Sequence, residues 1–167
     1  MTAPEVNISL FKILLNGDQS SLSIVYDAID DNIPVIAVKD TGGLADFIAI
    51  AYKVVYPSNG KTEEELDKTV KKMEKTEFKN EIRDEIRTKI QMRITIGTDE
   101  NIEEDKVLLS FLTDQTIEEF VNKIIKPQGY FLINILEYDN GRAVLALSDG
   151  ILQAMLFGKY KYEHVSR

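Results

Sequence analysis

Several residue types that build functional sites are missing or scarce in this sequence of 167 residues. There is no cysteine, which excludes disulfide scaffolds, thiol nucleophiles and thiolate metal centres. The single histidine, His164, argues against a multi-histidine metal cage or a Ser–His–Asp triad. No apolar run reaches the roughly 20 residues that a membrane-spanning helix needs, and residues 1–9 lack the pattern of a signal peptide. We therefore expect a cytoplasmic domain that makes no membrane contact itself.

Basic residues are outnumbered by acidic ones. The chain has 20 lysines and arginines against 28 aspartates and glutamates, which gives a formal net charge of −8. Such an acidic chain is a poor match for a nucleic-acid backbone, so we expect no nucleic-acid partner. Its hydrophobic fraction of 44% is sufficient for one domain with a buried core.

Short apolar runs alternate with amphipathic segments in the first third of the chain. The runs, residues 8–15 and 33–38, are bounded by turn residues, as is typical of buried strands. This alternation predicts an α/β fold, with a parallel sheet of three strands and helices on both of its faces. The third strand is predicted at residues 130–136. The helical positions that follow the two runs are Leu22, Val25, Tyr26 and Ile29, after a cap at Ser20 or Ser21, and then Leu44, Phe47, Ile48, Ala51 and Val55.

A charged segment, residues 61–106, precedes the last part of the fold. Within a helix predicted from Thr62 to Ile94, apolar residues recur every four positions. We favour a helix packed on its own domain, and the alternative is a partner-binding seam. Residues 97–105 predict an exposed acidic loop that lacks the alternating ligands and central glycine of a calcium loop. The glutamates at 63–65 fit a helix start better than a metal site, so we expect no metal.

Further elements are predicted in the last third of the chain. Thr116 is expected to cap a helix that ends at residues 127–129. After the third strand we expect a tight turn at residues 140–141, a helix over residues 149–157 and a basic, aromatic tail over residues 159–167.

Two glycine-containing turns follow the first two strands. Residues 15–22 read Leu-Asn-Gly-Asp-Gln-Ser-Ser-Leu, and residues 40–46 read Asp-Thr-Gly-Gly-Leu-Ala-Asp. In a parallel sheet such turns lie at the carboxyl ends of the strands, where free N–H groups at helix starts attract phosphate. The glycines could instead serve only to turn the chain, and Asp40 and Asp46 could act as acid and base or merely begin a helix. The candidate ligand-binding residues are Gly17, Ser20, Ser21, Thr41, Gly42, Gly43 and Leu44.

The second turn lies in a longer stretch with a family resemblance. Residues 33–49, Ile-Pro-Val-Ile-Ala-Val-Lys-Asp-Thr-Gly-Gly-Leu-Ala-Asp-Phe-Ile-Ala, resemble part of the cytosolic N-terminal homology region of melastatin-type transient receptor potential (TRPM) cation channels. Residues 16–26 fall on its preceding turn and helix, residues 131–135 look like a later strand, and residues 149–158 are similar to a later helix. The resemblance implies a partial, Rossmann-like SLOG domain over residues 7–158 that lacks the family's N-terminal strands.

The resemblance also implies a function. It is that of a cytosolic regulatory and assembly module of a calcium-permeable channel, with other channel subunits or the rest of a channel chain as partners. Some such domains bind ADP-ribose or a related nucleotide-sugar. Two alternatives stay open: a free-standing SLOG-fold nucleotide-binding protein or phosphoribohydrolase-like enzyme, and an interaction protein that uses its charged helix. Catalysis is not expected, because residues 16–24 keep one glycine of the phosphoribohydrolase turn and place no glutamate on the following helix.

Two departures from the family pattern bear on ligand binding. Asp18 stands where the family has glycine, and Gly43 stands where arginine is common. The first adds a negative charge beside a phosphate, and the second removes a bidentate phosphate donor. We therefore expect weak or absent ADP-ribose binding, and we expect Asp18→Gly combined with Gly43→Arg to strengthen it.

Overall fold

The computed structural model describes residues 10–58, 60–96 and 102–137, with the backbone alone for residues 102–105. Within these ranges, strands and helices alternate as far as the second helix and five more helices precede the last strand, so the fold class is α/β, as predicted. The elements in chain order are β1 (Lys12–Leu14), α1 (Ser20–Asp30), β2 (Val35–Val38), α2 (Gly43–Val55), α3 (Glu63–Met73), α4 (Thr76–Ile96), α5 (Ile102–Ser110), α6 (Asp114–Ile124), α7 (Pro127–Leu132) and β3 (Ile133–Leu136).

The three strands form one parallel sheet in the order β1-β2-β3. Val35 at the start of β2 aligns with Lys12 of β1 on one side and with Ile133 of β3 on the other. This register confirms the predicted parallel core of three strands. Parallel pairing also places the segments that follow all three strands at the same end of the sheet, at the carboxyl ends of the strands.

The main hydrophobic core lies against one face of the sheet. All four residues of β2 are buried, and Val35 and Ala37 belong to the same apolar cluster as the inner faces of α1 and α2. Successive side chains of a strand point to opposite faces, so Ile36 and Val38 point away from that cluster. The helices predicted for this second face stay a prediction.

Helix α2 is the centre of the core. Within it only Lys53 is exposed and Ile50 half-buried, while small residues such as Ala45 and Ala51 let neighbouring elements approach closely. Phe47 stacks on Phe111 with ring centroids 5.1 Å apart and meets the edge of Phe120 at 5.3 Å. The segments after the charged block therefore share one core with the first β-α-β-α unit.

The charged segment forms two helices rather than the single one predicted. Thr62 caps α3, since its Oγ1 accepts a hydrogen bond from the N–H of Glu65 at 3.1 Å. The chain then breaks between Met73 and Thr76. Met73 and Ile82 are nine residues apart, so in one straight helix they would point about 180° away from each other. The break lets both side chains enter the core.

The apolar stripe of α4 packs inward. Ile82, Ile86 and Ile90 are all buried in the core, and α4 contacts α2, α5 and α6. This confirms the favoured interpretation of the stripe as a face packed on its own domain. The opposite face carries solvent-exposed pairs such as Glu85 with Lys89.

Three sequence-based boundaries were wrong. Helix α5 begins at Ile102, so residues 102–105 do not belong to a loop. Thr113 rather than Thr116 caps α6, because Thr113 Oγ1 accepts a hydrogen bond from the N–H of Thr116 at 3.1 Å. Residues 130–132 end the short helix α7, which starts at Pro127, the preferred first-turn residue. The predictions for residues 97–101, 140–141, 149–157 and 159–167 lie outside the described residues.

Candidate functional site

The two glycine-containing turns lie side by side at the edge of the sheet formed by the carboxyl ends of its strands. Since β1 and β2 are parallel and Leu14 aligns with Ala37, both strands deliver the following turn to the same edge. Left-handed backbone conformations reverse the chain there, with φ of 56° at Asn16, 66° at Asp40 and 94° at Gly42. Asn and Asp tolerate this conformation better than other residues with side chains, which explains these residue types at the turns.

Hydrogen bonds between the two turns close this edge. The N–H of Leu44 donates to the carbonyl oxygen of Gly17 at 2.8 Å, and the N–H of Ala45 donates to that of Asn16 at 2.9 Å. In return, the N–H of Asn16 donates to Thr41 Oγ1 at 2.9 Å. The first N–H groups of a helix normally lack intrahelical partners and attract anions. In α2, two of them are already taken by carbonyl oxygens of the neighbouring turn.

Gly43 is the point of closest approach between the turns. Its φ is +46°, and a Cβ atom on it would lie 2.2 Å from the carbonyl oxygen of Gly17 and 2.3 Å from Asn16 Oδ1. No side chain fits there unless the backbone moves. The expectation that Asp18→Gly with Gly43→Arg would strengthen phosphate binding stays a prediction, but the clash argues against its second substitution, because the arginine stem would push the two turns apart.

Asp18 occupies the start of α1. Its Oδ1 accepts hydrogen bonds from the hydroxyls of Ser20 at 2.6 Å and Ser21 at 3.1 Å and from the N–H of Ser21 at 3.2 Å. These hydrogen bonds hold the pKa of Asp18 below its usual value. The carboxylate thus stands where an external anion would bind. The predicted cap at Ser20 or Ser21 is wrong, because both residues donate to Asp18 from inside the helix.

A buried carboxylate fixes the second turn. Asp46, in the first turn of α2, is only 2% exposed and accepts a hydrogen bond from the N–H of Asp40 at 2.6 Å. Arg93 of α4 donates to Asp46 Oδ2 at 3.3 Å and lies 3.7 Å from Asp40 Oδ1. The bond from Asp40 holds that residue in its left-handed conformation. Sequence reasoning missed Arg93, since only the packing of α4 on α2 brings it to this edge.

The edge carries more negative than positive charge in the part of the chain that the structure describes. Its carboxylates are Asp18, Asp40, Asp46 and Glu137, and the cations beside them are Arg93, Lys39 and Lys53. Lys39 Nζ lies 3.9 Å from Asp40 and 3.7 Å from Glu137, the carboxylate that follows β3 and that also pairs with Lys53. All three cations are thus engaged with carboxylates, which makes the edge unfavourable for a phosphate group.

The candidate residues are all found at this edge, in two groups. Gly17, Gly43 and Leu44 make the contact between the turns, with Thr41 bridging them, and Gly42 directly precedes α2. The two serines surround Asp18 instead. Ligand binding by these residues stays a prediction.

Lys61 is a half-buried cation that sequence reasoning did not find. It lines a cavity of about 370 Å³ with Tyr52 and Tyr130. Its Nζ donates to the carbonyl oxygen of Ile133 and to Asn134 Oδ1 at 3.1 Å. Burial lowers the pKa of Lys61 to about 7. Lys61 therefore ties the chain before α3 to β3.

No group of three or more His, Cys, Asp or Glu side chains within residues 10–58, 60–96 and 102–137 is arranged to hold a metal ion. In those same ranges, every helix is too short or too polar to traverse a bilayer.

Comparison with known proteins gave one match. A protein-family model described as SLOG in TRPM matches residues 1–95, which include β1, both turns, α1 to α3 and nearly all of α4. No curated protein matches the chain. No solved structure matches it either.

Proposed function

Because the chain belongs to the SLOG in TRPM family, we propose that it is a non-catalytic regulatory and assembly module of a TRPM-type cation channel, acting on the cytosolic side of the membrane. Its partners in this proposal are further copies of the same chain within a channel assembly.

The observation that carries the assembly role is the exposed lateral edge of the sheet along β1, which is not the end of the sheet where the glycine turns lie. Among the described strands, β1 pairs only with β2. Ile13 is 43% exposed, and the apolar residues on either side of the strand, Leu10 and Leu15, are 61% and 62% exposed. An edge strand flanked by exposed apolar side chains is typical of a surface that pairs with another chain. Because the α4 stripe is buried, the charged helix is the weaker candidate for this contact.

The closed turns favour a module without a nucleotide-sugar site at this edge. Phosphate binding at helix starts needs free N–H groups and a favourable potential. Leu44 and Ser21 already donate their N–H groups within the chain, and Asp18 adds a negative charge at the start of α1. We propose that ADP-ribose binds here weakly or not at all. The same features disfavour a phosphoribohydrolase-like activity.

Sedimentation equilibrium of the full chain tests the assembly role. We expect the chain to self-associate and Ile13→Asp to return it to monomer, because a charge at β1 disfavours edge pairing. Met92→Asp is the matched control, since Met92 is an exposed apolar residue, 58% exposed, that lies on α4 and not on β1. A chain that stays monomeric at all concentrations, or that loses association equally in both variants, would contradict the proposal.

A further inference from the structure

A groove between α4 and α6 forms a second cavity, of about 250 Å³, on a different part of the molecule from the glycine turns. Its floor is apolar and its rim is polar. Two cationic residues, Lys79 and Arg83, stand on the α4 side, and Glu118 and Asn122 stand on the α6 side. The buried apolar residues of the floor are Met73, Ile82, Ile117 and Val121.

Arg83 is incompletely partnered in this groove. Its Nη2 donates to Asn80 Oδ1 at 2.8 Å, but its Nε is buried and has no hydrogen-bond partner among the described residues. Its Nη1 forms an ion pair with Asp114 at 3.6 Å, which is longer than a hydrogen bond. A buried N–H without an acceptor is uncommon in native proteins, because leaving it unpaired is costly. Within the part of the chain that the structure describes, the guanidinium therefore has a donor without an acceptor.

We propose that this groove binds a small organic monoanion, with its carboxylate against Arg83 and Lys79 and its apolar body on the floor. The charged lining residues, two cations and Glu118, sum to one positive charge in a chain whose net charge is −8. The cavity volume equals that of about eight molecules of liquid water, so the cavity can hold a ligand of about ten non-hydrogen atoms. The guanidinium suits a carboxylate because its donors match the two oxygens.

Octanoate is a suitable probe, because it combines one carboxylate with a compact apolar chain. Titration of octanoate into the full 167-residue protein should give a dissociation constant on the order of 1 mM or tighter. 1-Octanol, which has the same chain length and no charge, should bind at least about tenfold more weakly. Equal binding of the two probes, or no binding of octanoate, would overturn the proposal.

Two arginines one helical turn apart give a matched pair of variants. Arg83 and Arg87 both lie on α4, both pair with Asp114 and both have side chains 30% exposed, but only Arg83 lines the groove. Arg83→Met should weaken octanoate binding at least about tenfold, whereas Arg87→Met should leave it unchanged. An equal effect of the two substitutions would mean that overall charge and not the groove controls binding.

Lys79→Met provides the second test, should Arg83→Met fail to fold as judged by circular dichroism. Lys79 is exposed, and its removal should also weaken octanoate binding. Unchanged binding in that variant would overturn the role of the cationic rim. The groove proposal does not rest on the proposed assembly role, since sedimentation and octanoate titration read out different surfaces.

Discussion

The N–H of Leu44, at the start of α2, donates to the carbonyl oxygen of Gly17 at 2.8 Å, across the two turns that the sequence had indicated as a ligand site. This single bond joins the segment after β1 to the segment after β2. It fills from within the chain a position that an external anion would otherwise take. The two turns thus stabilise each other, and their glycines permit this contact.

Gly43→Ala should destabilise the protein by about 2–4 kcal/mol, because it combines a left-handed φ with a Cβ clash against backbone. Gly60→Ala is the control, since a Cβ atom at Gly60 would meet nothing within 4 Å. Urea unfolding of the two variants measures the difference. If the free energy of unfolding falls no more in Gly43→Ala than in Gly60→Ala, the two turns do not approach as closely as the 2.8 Å bond from Leu44 N–H to Gly17 O requires.

Isothermal titration calorimetry with ADP-ribose should show weak or no binding to the unchanged protein. Asp18→Gly removes the carboxylate at the start of α1 and should strengthen any binding, because a negative charge no longer opposes the phosphate and the N–H of Ser21 loses its side-chain acceptor. Asp27→Asn, farther along α1, is a control that removes the same charge away from the turn. Tight binding to the unchanged protein would mean that groups outside this edge hold the phosphates.

Lys61 should make the folded state more stable as pH rises from about 7 to about 10. Its pKa is about 7 in the folded protein and near 10.5 when unfolded, so the unfolded chain binds more protons in this range. Above pH 10 the trend should reverse, because burial raises the pKa of Tyr52 and the unfolded chain then loses the phenolic proton first.

The measurement is the free energy of unfolding in urea at several pH values. Lys61→Met should flatten the alkaline rise, whatever its effect on stability at pH 7. Lys68→Met removes an exposed lysine and should keep the rise. A rise of equal slope in the Lys61→Met variant would assign the effect to another group.

Ile86→Asp should destabilise the monomer without dissociating an assembly. Ile86 is fully buried in the middle of the α4 stripe, and removing its side chain alone costs about 2–4 kcal/mol before the aspartate is buried. Thermal unfolding should show this loss, while sedimentation of the protein that remains folded should match that of the unchanged chain. A stable variant that has lost its association would identify the stripe as a partner seam.

The elements that were predicted well are those with local signals. The continuous apolar run at residues 33–38, followed by helical spacing from Leu44, was sufficient for β2 and α2. The apolar run at 130–136 was ambiguous, because a short run does not distinguish a buried helix from a strand, and its first three residues belong to α7. Gly129 lets α7 approach α6, since a Cβ atom there would lie 2.1 Å from the carbonyl oxygen of Lys123.

The sequence predicted where the two turns lie, but not that their hydrogen-bonding groups are already used within the chain. The spacing of strands and glycines was enough to bring Gly17 and Gly43 to one edge. The N–H groups of Leu44 and Ala45 are taken by carbonyl oxygens of the first turn. This pairing depends on the relative position of two turns about 25 residues apart, which no local pattern encodes. Arg93 reached the edge only through the packing of α4, a contact between segments distant in sequence.

The register of the sheet also has a consequence during synthesis. Val35 of β2 aligns with Ile133 of β3, which leaves the ribosome about 100 residues later, or roughly 5–20 s at ordinary elongation rates. During that interval β2 can pair with β1, but its other edge has no strand beside it. The nascent chain therefore presents one side of its most apolar strand to other proteins until β3 has been made, and its yield in a cell should depend on chaperones that cover such an edge.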